Sequence, residues 1–141
     1  LDLKNETYSL KSNMLVAFTE GATDGFEGIY DSRRFDSPIS LYSVLDTDEQ
    51  LCIQGRTAFN DEQVVDLGFA TMIKELQTYS ISIHQIEGVD ISNARVYLED
   101  HLLNISTNLS EGNYTFTSEE GQQLNRFKLV FQERVLSNNI Y

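Results

Sequence analysis

Alternation of apolar and small polar residues is the clearest pattern along this chain. In residues 79–83, tyrosine and isoleucine alternate with serine, and a second short run follows at residues 94–98. A period of two points one row of side chains into a core and the other row toward water, as in a strand of an antiparallel sheet. The pattern therefore predicts two half-buried β-strands in this part of the chain.

Similar short runs recur at even spacing and are separated by turn residues. With these two, the predicted strands cover residues 14–18, 39–45, 51–54, 64–69, 79–83, 94–98, 102–105, 114–117 and 126–131. About nine short strands divided by turns predict an all-β fold, a two-sheet antiparallel β-sandwich of the jelly-roll or immunoglobulin-like kind. Residues 62–76 also have helix-like spacing, but Gly68 interrupts that run and favours a strand. Residues 1–10 alternate weakly, which fits an edge strand or an ordered leader.

Chain length and cysteine content favour one domain that depends on its apolar core. The 141 residues, 40% of them apolar, suit a single domain. We expect this domain to span residues 1–132 and residues 133–141 to begin a linker. Cys52 is the single cysteine, so no intrachain disulfide can form, and its apolar neighbours predict a buried side chain.

The charge balance disfavours two classes of partner. Ten Lys and Arg residues stand against 22 Asp and Glu residues, for a net charge of -12. Such a surface repels phosphate backbones and anionic headgroups. No apolar run approaches the length of about 18 residues that spans a bilayer. We therefore expect no nucleic-acid partner and no membrane insertion.

The longest irregular stretch, residues 19–38, carries the densest chemistry. Its carboxylates are candidate oxygen ligands for calcium: Glu20, Asp24, Glu27, Asp31 and Asp36. Their spacing is not that of an EF-hand, and the alternative is that the acidic and glycine residues form turns that hold a long loop. The prediction is a domain without a required cofactor, in which calcium is the candidate ion.

Catalytic motifs do not emerge from the residues. The chain has no Gly-x-Ser-x-Gly elbow, and its two histidines have no cysteine at zinc-ligand spacing. An acidic chain offers many pairs of carboxylates, and such pairs alone do not indicate glycosidase chemistry. We therefore predict that the protein is not an enzyme.

Many short matches, spread over residues 14–132, carry a resemblance to a known family. Those with the most distinctive residues are Tyr97-Leu98-Glu99-Asp100, Tyr114-Thr115-Phe116-Thr117 and Arg126-Phe127, and others lie at residues 22–26, 30–31, 41–43, 51, 53–55, 67–69 and 79–81. Together they resemble the β-sandwich domain that precedes the C-terminal sorting domain in surface and secreted proteins of Bacteroidetes, the cargo of the type 9 secretion system.

The resemblance implies an extracellular location, at the cell surface or in the medium. The module would be a non-catalytic structural spacer or adhesion unit beside the sorting signal. Residues 133–141 would then begin the linker toward a C-terminal sorting domain outside the chain. Its partners would be glycans or other surface proteins, and the type 9 machinery through the adjacent sorting domain.

Two alternatives accompany this interpretation. In the first, the chain is a carbohydrate-binding module in which Tyr30, Tyr42 and Tyr97 stack on sugar rings. Alternation places Tyr79 and Tyr114 in the core, so exposure of the other tyrosines would discriminate. In the second, the module assists export by helping the sorting signal engage the secretion machinery.

Overall fold

The computed structural model describes residues 1–19, 25, 32–33 and 37–133, and it consists of two packed β-sheets. The predicted all-β sandwich is therefore confirmed. The described residues form twelve strands and one helical turn, α1 (Val89–Ser92). The strands are β1 (Asp2–Asn5), β2 (Leu10–Asn13), β3 (Leu15–Phe18), β4 (Ser32–Arg33), β5 (Ile39–Val44), β6 (Gln50–Arg56), β7 (Val64–Thr71), β8 (Gln77–Ser82), β9 (Tyr97–Asp100), β10 (Ile105–Asn108), β11 (Tyr114–Ser118) and β12 (Gly121–Val130).

The smaller sheet, called sheet A, has the strand order β11-β8-β1-β2, and the larger, sheet B, has the order β10-β9-β12-β7-β5-β6-β3, with β4 paired to β6. Among the described strands, β3 and β6 form the one parallel pair, with Leu15 opposite Ile53. Met14 alone separates β2 from β3, so the chain passes from sheet A to sheet B without reversing its direction.

Aromatic side chains from both sheets interlock in the core. Phe69 of sheet B lies 5.0 Å from Tyr79 and 5.1 Å from Phe116, both of sheet A, between ring centroids. Phe127 of sheet B lies 4.9 Å from Phe116. Edge and tilted contacts of this kind add to the free energy that burial alone supplies. Tyr79 and Tyr114 are 1% and 7% exposed, which confirms their predicted place in the core.

The start of the chain differs from its prediction as an edge strand or a leader. β1 lies inside sheet A, between β8 and β2, and Leu3 is fully buried opposite Ile81. Residues 2–13 contain few apolar residues, and of the two strands only β1 has fully buried side chains. Hydrophobic periodicity therefore does not identify this hairpin.

Two predicted strand boundaries also move. The strand expected at residues 94–98 begins at Tyr97, after α1. The strand expected at residues 102–105 begins only at Ile105, and residues 101–104 form a turn that ends at Asn104 with φ 56°. The strand expected from Val64 is confirmed and extends to Thr71, which rules out the helix-like alternative.

Two further observations concern the described residues as a whole. No helix among them is long and apolar enough to cross a membrane. Of the predicted linker at residues 133–141, only Glu133 lies inside the described ranges.

Candidate functional site

Three polar side chains that the sequence separates widely meet between the two sheets. Asp100 ends β9, Tyr114 begins β11 and Arg126 lies in β12. The Arg126 guanidinium donates to both carboxylate oxygens of Asp100, at 3.0 Å from Nε and 2.8 Å from Nη2. Tyr114 donates its hydroxyl to Asp100 Oδ2 at 2.5 Å. These three residues are called the interior ion-pair cluster below, and they join sheet A to sheet B.

Hydrogen bonds and charge fix the protonation states in this cluster. Burial alone would raise the pKa of Asp100, but hydrogen bonds from Arg126 and Tyr114 and the Arg126 charge outweigh it, so the pKa lies below its usual range. Burial and the hydrogen bond to Asp100 raise the pKa of Tyr114 to about 12. At neutral pH the cluster therefore holds a carboxylate, a neutral phenol and a guanidinium.

Aromatic rings cover the faces of the guanidinium. The central carbon of Arg126 lies 5.0 Å from the centroid of Phe116 and 4.9 Å from that of Phe127. A buried ion pair is stable only when desolvation is offset by good geometry and further contacts. Here the bidentate pairing and the two cation–π contacts supply that compensation.

The same carboxylate also orders the turn that follows β9. Asp100 Oδ1 accepts from the backbone N–H of Leu102 at 3.0 Å and of Leu103 at 3.3 Å. These bonds cap residues 101–104 and turn the apolar side chains outward. Leu102, Leu103 and Ile105 are 63%, 53% and 42% exposed. They are called the apolar tip below, and a buried ion pair holds the turn on which the tip is built.

A histidine lies beside this tip. Glu99 is fully buried, and its Oε1 lies 2.9 Å from Nε2 of His101, whose side chain is one-third exposed. His101 also donates its backbone N–H to the carbonyl of Arg126 at 2.7 Å. The backbone of this turn is therefore bound to β12, and the side chain of His101 is bound to Glu99 of β9.

The tyrosines predicted to stack on sugars do not lie on the surface. Tyr42 is fully buried and Tyr97 is 7% exposed. The Tyr42 hydroxyl accepts from Gln122 Nε2 at 2.6 Å. Neither ring offers a face to a sugar, because every residue of β9 is buried and the Tyr42 ring packs on Gly68. Tyr30 lies outside the described residues.

The candidate calcium ligands Glu20, Asp24, Glu27, Asp31 and Asp36 all lie outside the described residues. Within residues 1–19, 25, 32–33 and 37–133, no group of three or more His, Cys, Asp or Glu side chains could hold a metal ion. Calcium binding by the acidic loop therefore stays a prediction.

A groove of ≈ 960 Å³ lies between β3 and residues 84–91. Its wall includes apolar side chains such as Leu15, Phe18 and Phe59, and one buried carboxylate, Asp2. Asp2 Oδ2 lies 3.1 Å from Nδ1 of His84 and 3.4 Å from the Lys11 ammonium, while its Oδ1 has no hydrogen-bond partner. The lining of the groove therefore includes a histidine–carboxylate pair, Asp2 with His84.

Sequence reasoning did not find the interior ion-pair cluster, although a signal was present. Arg126 directly precedes the apolar alternation of residues 127–131, and charged side chains are seldom buried unless they are paired. That signal points to some buried pair. It does not identify the partner, because Arg126 and Tyr114 lie 26 and 14 positions from Asp100.

In the described part of the chain, the two packed sheets form a β-sandwich, and the interior ion-pair cluster lies between them. The chain belongs to a family described as a domain of unknown function (DUF8693), whose model matches residues 1–131. No curated protein and no solved structure matches it.

Proposed function

We propose that this chain is a non-catalytic β-sandwich module of an extracellular bacterial surface protein that the type 9 system exports. It acts as a structural spacer or adhesion unit beside the sorting signal. One observation carries the proposal. Three stretches behind the resemblance, residues 97–100, 114–117 and 126–127, meet in space and contain all members of the interior ion-pair cluster.

A spacer must keep its shape, and the cluster serves that requirement. It fastens strands of opposite sheets through directional bonds, with Asp100 and Tyr114 contributed by different sheets. The domain achieves this with one cysteine and hence without an intrachain disulfide. The polar groups of Asp100, Tyr114 and Arg126 in the three matched stretches are thus engaged in holding the two sheets together.

The carbohydrate-binding alternative loses support from the placement of its residues. Two of its three tyrosines, Tyr42 and Tyr97, are interior. Stacking on a sugar requires an accessible ring face, which neither residue has.

The test uses the parent protein in a host that exports through the type 9 system. Two variants are compared with the intact protein: one lacks residues 1–132, and the other carries an unrelated β-sandwich of similar size in their place. Protease accessibility at the cell surface reports export, and adhesion of the cells to extracellular matrix and to each other reports function. We expect both variants to be exported and the deletion to reduce adhesion.

The replacement separates the two roles within the proposal. Recovery of adhesion with the unrelated sandwich indicates a spacer, and persistent loss indicates an adhesion unit. If the intact parent remains inside the cell, the proposal is wrong. If the deletion blocks export while the sorting domain is retained, the module assists secretion instead.

A further inference from the structure

We infer that the outer edge of β10, together with the apolar tip, is a docking edge for an extended, positively charged segment of a partner protein. Such a segment would add one strand to sheet B. This inference stands apart from the proposed function, because a spacer, an adhesion unit or an export aid could each carry such an edge.

β10 is the terminal strand of sheet B. It pairs with β9 through Ile105 opposite Asp100 and Asn108 opposite Tyr97, and no described strand lies on its other side. A terminal strand presents backbone N–H and C=O groups that can pair with another chain. The backbone of residues 105–108 thus provides the hydrogen-bonding template.

β10 lacks the side chains that usually protect a sheet edge from pairing with another chain. Proteins commonly guard sheet edges with charged residues or proline, whereas β10 reads Ile105-Ser106-Thr107-Asn108. Next to it the apolar tip exposes two leucines and an isoleucine. An exposed apolar group beside an uncharged edge fits strand addition, in which backbone bonds supply affinity and side-chain contacts supply selectivity.

The edge is also preorganised. Asp100 caps the turn that carries the leucines, and Arg126 and Tyr114 fix Asp100 in turn. A rigid surface loses less conformational entropy when a partner binds. The buried cluster therefore favours binding at a surface that it does not itself form.

Charge identifies the occupant. At one end of β10, the exposed carboxylate of Glu111 accepts a hydrogen bond from Asn108 Nδ2 at 3.3 Å, and β10 itself carries no basic residue. The whole chain carries a net charge of -12, which opposes a second copy at this edge. Four edge residues are also few for a stable dimer, which buries roughly 1,200 Å² or more. A single extended segment with Lys or Arg between apolar residues carries the opposite charge and needs only the short edge that β10 offers.

The test measures binding of short, fluorescently labelled, acetylated and amidated peptides to the full chain by anisotropy. The probe alternates valine with lysine. One control peptide alternates valine with glutamate, and another keeps the lysines but carries N-methyl groups on the valine amides. Ile105→Lys is compared with Met72→Lys, which adds the same charge at a residue that is 66% exposed in another loop. Circular dichroism checks that both variants fold.

We expect the lysine peptide to bind the unaltered chain and to shift the amide resonances of residues 105–108. Ile105→Lys should weaken binding about tenfold, the usual effect of losing an apolar anchor. Met72→Lys should change it by less than about twofold, and the N-methylated peptide should bind poorly because it cannot complete the ladder.

Four results would overturn the inference. They are no binding of the lysine peptide, equal binding of the N-methylated peptide, equal weakening in both lysine variants, and a dimer that Ile105→Lys dissociates during size-exclusion chromatography. The second and third would indicate attraction by charge alone. The last would assign the edge to a second copy of the chain.

Discussion

The carboxylate of Asp100 connects the two sheets and caps the turn that carries the apolar tip. Its two oxygens accept from Arg126, Tyr114 and the backbone of the following turn. Removing one member of such a cluster leaves the others buried and uncompensated. The cost of that state, rather than the strength of any one bond, determines what a substitution does.

Arg126→Met should lower the free energy of unfolding by about 3–5 kcal/mol, because Asp100 stays buried without its counter-ion. Urea denaturation measures the loss. The double variant Asp100→Asn with Arg126→Met should lose less than the sum of the single variants, since it leaves no lone charge. Strictly additive losses would show that the two side chains contribute independently.

Acid should destabilise the domain through the same carboxylate. The pKa of Asp100 is lower in the folded protein than in the unfolded chain, so the unfolded chain binds the proton more readily. This contribution is complete above the unfolded pKa of about 4 and is lost as the pH falls below it toward the folded pKa. Between about pH 5 and pH 3, Asp100→Asn should show a shallower fall in melting temperature than the unaltered chain. Equal slopes would mean that other carboxylates dominate acid unfolding.

At the scale of the elements, β5 and β7 approach each other closely over Gly68. A Cβ atom at this position would lie 2.2 Å from a ring carbon of Tyr42, and Tyr42 is fully buried. Gly68→Ala should therefore cost about 1–3 kcal/mol through overpacking. Gly112→Ala is the matched control, because no atom lies within 4 Å of its added carbon. Thermal unfolding of the two variants provides the measurement, and equal melting temperatures would mean that the Tyr42 ring can shift.

Alternation identified the elements whose side chains divide between core and solvent. Tyr79 and Ile81 in β8 are buried and lie between less buried neighbours, so the period of two in the sequence matches the alternation of burial in the strand. It failed at β9, where all four residues are buried and exposure no longer alternates. This is why Tyr97 was expected on the surface.

The site was harder to predict than the strands for two physical reasons. Leu102, Leu103 and Ile105 resemble a strand by composition, but a carboxylate two and three residues earlier turns the leucines outward. The pairing of Asp100 with Arg126 depends on the neighbouring positions of β9 and β12, and a single sequence does not contain sheet order.

At the scale of the whole molecule, the excess of 12 acidic groups acts on every conformation of the chain. Repulsion between like charges is greatest in the compact state and is screened by salt. Raising NaCl from about 0.01 M to about 0.15 M, which shortens the screening length from about 30 Å to about 8 Å, should raise the melting temperature by a few degrees.

Calcium chloride at equal ionic strength provides the control for this effect. A larger rise with calcium than with sodium would indicate a site for the ion, because a ligand that binds the folded state stabilises it by mass action. A melting temperature that falls with added NaCl would show that favourable ion pairs outweigh the repulsion.

The position of β12 has a consequence for how the chain folds. It is the last of the described strands, yet it lies between β7 and β9 inside sheet B. Sheet B therefore stays divided until this late segment is available, and pairings between distant segments close slowly. In a chain emerging from the ribosome, β7 and β9 would each lack their partner strand until nearly all of these residues had been synthesised. The domain should accordingly fold in one late, cooperative step, and a chain truncated before Gly121 should not fold at all.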